Sequence, residues 1–87
     1  MEYQYIGKVT RFFDRMSVAV VQLEGELLLG DWILIEGKRT RLEQQVTSMQ
    51  VNHQAIDKGM PGEEVAIKTD DVVRQNDEVF LILEGDT

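Results

Sequence analysis

Two glycine turns, each feeding a run of strand-forming residues, constrain this chain more than any other feature. Leu29-Gly30-Asp31 runs into Trp32-Ile33-Leu34-Ile35, and Gly59-Met60-Pro61-Gly62-Glu63-Glu64 runs into Val65-Ala66-Ile67-Lys68. A tight reversal ahead of a strand needs a residue that accepts positive φ. Glycine does so without steric cost, and a preceding proline pre-sets the turn. Both segments point to a small β-barrel.

The remaining chain carries the same punctuation. Tyr5-Ile6-Gly7-Lys8-Val9-Thr10 reads as a first strand, with Gly7 marking a bulge or a close backbone approach, and Ser17 to Leu23 reads as the second. Trp32 to Ile35 is apolar on both faces, since Ile33 and Ile35 point one way while Trp32 and Leu34 point the other. Arg39 to Glu43 alternates polar residues as an exposed strand or extended loop does. Gln45 to Val51 reads as a strand with a bulge near Thr47-Ser48, because Val46, Met49 and Val51 break period two. Asn52 to Met60 is a connection anchored by Ile56, Asn76-Asp77 supplies a further turn, and Glu78 to Leu83 forms the last strand. Turn signals at roughly ten-residue spacing predict an all-β fold, a small closed Greek-key-like barrel of about six strands. It is expected to form one domain over residues 1–87.

At 87 residues the chain buries only about 60 to 65% of the surface it exposes unfolded, so the core is thin and a partner would add to its stability. The absence of cysteine excludes a disulfide framework, a thiolate metal site and a thiol nucleophile. Met1 to Tyr5 lacks the pattern of a signal peptide, and no apolar run approaches the roughly 20 residues of a membrane span. A soluble, cytoplasmic protein is expected. Sixteen acidic residues against 9 basic ones leave a net charge of −7, which repels a polyanion at long range. The basic residues nevertheless gather in two stretches, Lys8 with Arg11 and Arg15, and Lys38-Arg39 with Arg41.

Four segments in series carry a resemblance. They are Ile6-Gly7-Lys8-Val9, then Leu29-Gly30-Asp31-x-Ile33-x-Ile35-x-Gly37, then Val46-x-Ser48-Met49-Gln50, then Ile56-x-x-Gly59-x-Pro61-Gly62-Glu63-Glu64-Val65-Ala66-Ile67. In order and spacing they resemble the second domain of translational GTPases such as elongation factor Tu. They are also similar to the barrel at the C-terminus of collagenase-like peptidases. Either resemblance implies a barrel of the translation-protein type, serving as a docking surface, a holder of the aminoacylated end of tRNA, or an accessory domain on an enzyme. The chain lacks the G-x-x-x-x-G-K-[ST] phosphate loop, so GTP binding by that mechanism is excluded.

Reactive chemistry is sparse. His53, the single histidine, has no serine and acid pattern for a triad and no second histidine for a metal. Asp70-Asp71 and Asp77-Glu78 lack the alternating spacing of a calcium loop and read as solvated turn charge. No cofactor and no catalytic or metal site is expected. Two surfaces remain. Trp32 and Leu34, if outward, form an apolar patch for a protein contact. Arg11, Phe12, Phe13 and Arg15, with Lys8, Lys38, Arg39 and Arg41, combine rings and cations of the kind that hold single-stranded RNA. The expected function is a non-catalytic binding module in translation or RNA metabolism, docking on a protein or ribonucleoprotein. Direct binding of tRNA or another RNA 3′ end is the alternative.

Overall fold

Side-chain alternation builds the core directly: along Val18–Leu23, Ala19, Val21 and Leu23 are buried while Val18, Val20 and Gln22 are only partly so. The computed structural model describes residues 2–83. They form ten strands: β1 (Glu2–Phe13), β2 (Val18–Leu23), β3 (Leu27–Leu28), β4 (Trp32–Gly37), β5 (Thr40–Gln45), β6 (Met49–Val51), β7 (Gln54–Ala55), β8 (Lys58–Gly59), β9 (Glu64–Lys68) and β10 (Glu78–Leu83). Six of these, β1, β2, β4, β5, β9 and β10, have five or more residues, and the described residues contain no helix. The fold is all-β.

Eight strands make one antiparallel sheet in the order β5-β4-β10-β1-β2-β9-β6-β7, and β3 pairs with β8 in a second, two-stranded sheet. The last strand returns to lie beside the first, a crossover of the Greek-key kind. β1 is long enough to serve both halves because it bends. Its register slips between Tyr5 and Gly7 against β10, and between Val9 and Arg11 against β2. Gly7 sits at the first slip, where a Cβ would collide with the carbonyl oxygen of Gln22. Inward residues from every long strand except β5, among them Ile6, Val21, Ile33, Ile35, Val65, Ile67 and Val79, meet in one buried cluster, with Phe12, Leu42 of β5 and Ile56 packed against it.

Three reversals use one device. In Leu28-Leu29-Gly30-Asp31, Met60-Pro61-Gly62-Glu63 and Arg74-Gln75-Asn76-Asp77, the third residue has φ of 94°, 93° and 77°. In each, the fourth N–H donates to the first carbonyl, at 3.0, 3.1 and 3.0 Å. The fourth residue's carboxylate then accepts from the first residue's N–H, at 2.9, 2.8 and 2.7 Å. An acid placed after the residue of positive φ therefore satisfies a donor that the turn itself leaves free.

The ladder does not close. β5 and β7 end the sheet unpaired with each other, in contrast to the expected closed barrel. Side chains close the gap instead. The Gln44 amide is 2% exposed; its Nε2 donates to Lys68 O at 2.8 Å and its Oε1 accepts from Asp70 N at 2.7 Å. Farther along, Arg74 Nη1 donates to Arg39 O at 2.8 Å and to Thr40 Oγ1 at 2.9 Å. Asp70 to Arg74 thus runs along the free edge of β5, with Val73 buried between the two ties. The expected bulged strand from Gln45 to Val51 is also revised: Gln45 ends β5, and residues 46–48 lie outside any strand. Val46 is the cause, since its N–H donates to Asp31 O and its carbonyl accepts from Gly30 N, both at 2.8 Å. The Asn52 to Met60 connection contains β7 and β8, and Ile56 packs on the core as expected.

Candidate interaction surfaces

The outward side chains of β1, β10 and β4 lie in cross-strand rows. One row runs Tyr5, Phe80, Leu34, Glu43, with the Tyr5 and Phe80 rings edge to face at a centroid distance of 5.8 Å. On one side of it lie Tyr3 and Ile82, paired with each other, and Trp32. On the other lie Lys8, Glu78, Glu36 and Arg41. Arg41 bonds Glu36 Oε2 at 2.7 Å and Glu43 Oε2 at 3.4 Å and also reaches Tyr3, so it crosses the middle row. The Glu36 hydrogen bond first, and Tyr3 second, hold its guanidinium further toward the charged form. Tyr5 has its phenol pushed up, chiefly by burial and then by the negative charges of Glu24 and Glu78.

This arrangement corrects one expectation. Leu34 points outward but is 2% exposed, because Phe80, Glu43 and the Arg41 bridge cover it. Trp32, at the start of β4, is 50% exposed. Tyr3, in the same row, and Leu28 and Leu29, in the preceding turn, are exposed as well.

The basic residues part company. Lys8, Lys38 and Arg39 converge on one cleft at the β4–β5 hairpin end, together with Arg74 and the carboxylates of Glu36, Asp77 and Glu78. Arg11 lies on another face with its guanidinium 5.6 Å from the centre of the Phe13 ring. There it lines a shallow groove of about 630 Å³ floored by Val18, Val20 and Ala66, with Met16 and His53 also lining it. Arg15 is exposed beyond it in the β1–β2 turn. Phe12 faces inward against the core and cannot stack on a base, since adjacent strand residues take opposite faces. Arg41 is committed to its carboxylates. The eight residues expected to hold RNA therefore do not share a surface. Arg74 escaped notice because only the pairing of β10 with β4 brings its turn to the Lys38 hairpin.

His53 is exposed at the tip of the β6–β7 hairpin, where Asn52 and His53 have φ of 52° and 64°. Two consecutive positive φ values match a two-residue primed hairpin turn, for which asparagine in the first place was the available signal. Among the described residues no group of three or more His, Cys, Asp or Glu could hold a metal ion. Nor is there among them a helix long and apolar enough to cross a membrane.

Comparison with known proteins sets these surfaces in context. No family model matches the chain. It is 42% identical over 80 residues to an uncharacterized protease of Methanocaldococcus jannaschii, a match covering 91% of this chain and 20% of that protein. A collagenase of Porphyromonas gingivalis is 33% identical over 78 residues, covering 87% of this chain and 22% of the collagenase. The chain thus spans about a fifth of the length of the curated relatives it matches. Among solved structures, the C-terminal domain of a Geobacillus thermoleovorans protein assigned to the U32 peptidases superposes with a TM-score of 0.86 at 16% identity, over 92% of this chain and 93% of that one. The fold is shared. Of the two expected resemblances, the comparisons support the one to collagenase-like peptidases and do not show the one to elongation factor Tu. The relatives are named proteases and collagenases, so the expected role in translation or RNA metabolism, including the RNA 3′-end alternative, is incorrect.

Proposed function

We propose that this chain is a non-catalytic docking domain serving a peptidase of the collagenase-like type. The observation that carries the reading is the length relation. Relatives named as proteases or collagenases match it over about a fifth of their length, so in them a segment of this kind accompanies a much larger remainder. Such a barrel needs a face to present to that remainder, and the Trp32 end supplies one. A half-exposed tryptophan with Tyr3 in its row and exposed Leu28 and Leu29 in the turn before it has the composition of an interface anchor, in which tryptophan and tyrosine carry a disproportionate share of binding energy.

The test is a calorimetric titration of the chain into the Methanocaldococcus jannaschii protease from which the matching segment has been removed. Saturable binding is expected, weakened at least about tenfold by Trp32→Asp, and weaker still to the intact protease, whose own segment fills the site. Absence of binding, or binding indifferent to Trp32→Asp, would sink the reading.

A further inference from the structure

The cleft at the β4–β5 hairpin end lies apart from the Trp32 surface and from the core. Lys8 comes to it from β1, Lys38 and Arg39 from the hairpin tip, and Arg74 from the turn before β10. Among the described residues Lys8, Lys38 and Arg39 make no ion pair. Three cations without a carboxylate partner thus face one cleft in a chain of net charge −7.

Its walls are tied together. The Asp77 carboxylate packs so closely on Gly37 that no Cβ fits there, and it accepts from Arg74 N at 2.7 Å. Arg74 in turn donates to Arg39 O and Thr40 Oγ1. Hairpin and turn therefore fix the backbone from which Lys38 and Arg39 project before any ligand arrives, which lowers part of the ordering cost of binding. The lining is mixed. Glu36 is engaged by Arg41 and Asp77 by the Arg74 amide, which leaves the Glu78 carboxylate and the Gln75 and Asn76 amides for hydrogen bonding. A polyphosphate has no donor to offer these acceptors and would set its own charge directly against the Glu78 carboxylate. A polypeptide offers carboxylates to the lysines and arginine and main-chain N–H groups to Glu78 and the amides.

We propose that this cleft binds an acidic polypeptide segment, with Asp or Glu side chains on Lys8, Lys38 and Arg39. A fluorescein-labelled poly-glutamate peptide, followed by anisotropy at low ionic strength, tests it without reference to the peptidase. The peptide is expected to bind the 87-residue chain, to weaken as salt rises, and to lose about tenfold in affinity with the pair Lys38→Glu and Arg39→Glu. The pair Arg11→Glu and Arg15→Glu makes the same change in net charge on another face and should cost less than about twofold. Amide spectra of both variants, retaining the dispersion of the parent, exclude unfolding as the cause. Equal losses in the two variants, no binding by the parent chain, or displacement of the peptide by an equal concentration of single-stranded RNA would each overturn the proposal. Trp32→Asp should leave peptide binding unchanged, so this result and the docking result stand or fall separately.

Discussion

The two sides of this barrel are held by different kinds of bond. From β10 through β1 and β2 to β9, neighbouring strands exchange main-chain hydrogen bonds along antiparallel registers interrupted only at the two bulges of β1. At the seam between β5 and Asp70 to Arg74, the ties are the side chains of Gln44 and Arg74. A ladder is made by the backbone and survives most substitutions that preserve alternation. A seam of this sort depends on two residues by identity, because no other side chain of similar size presents the same donor and acceptor as glutamine. One half of the molecule is thereby tolerant and the other specific.

The largest effect should come from removing the core that both sides share. Ile67→Ala in β9, where Ile67 is fully buried, is expected to cost about 2 to 5 kcal/mol in urea unfolding. Gln44→Ala attacks the seam alone by leaving Lys68 O and Asp70 N without their partner, and should cost about 1 to 3 kcal/mol. If that loss is below about 0.5 kcal/mol, the contrast between the two sides fails, since an exposed substitution would do as much. Arg74→Met, which retains bulk but removes the bonds to Arg39 and Thr40, should cost about 1 kcal/mol. Val20→Thr, outward in the middle of the ladder, should stay within about 0.5 kcal/mol of the parent. Hydrogen exchange sharpens the same contrast: the Asp70 amide should exchange sooner than the ladder amides of Val21 and Val65.

Much of the ladder side was legible in the sequence. Alternation exposes β2 and β9, and the three turns announce themselves through Gly30-Asp31, Pro61-Gly62-Glu63 and Asn76-Asp77. The seam was not legible, for a physical reason. Gln44 sits in Arg41-Leu42-Glu43-Gln44-Gln45, where nothing distinguishes an inward amide from its solvated neighbours until the strands roll and burial demands a partner for it. Val46 misled for a similar reason, because its backbone pairs with the Gly30-Asp31 turn and not with a strand. Leu34 shows the limit of alternation: period two states which way a side chain points, and bulky neighbours on the two flanking strands decide whether water reaches it. The basic cleft is a product of strand order, since Lys8, Lys38 and Arg74 are distant in sequence and meet only through β10.

β4 connects the two surfaces. Trp32 opens the strand, and Lys38 follows its last residue, Gly37. Five steps at about 3.3 Å place its ends about 17 Å apart. β10 pairs along one side of the strand and β5 along the other, so it has no freedom to stretch or swivel. A body seated at Trp32 and a chain lying across Lys38 would be kept at a set spacing, as by the two ends of a ruler, and the length of that ruler is written in the number of residues between them.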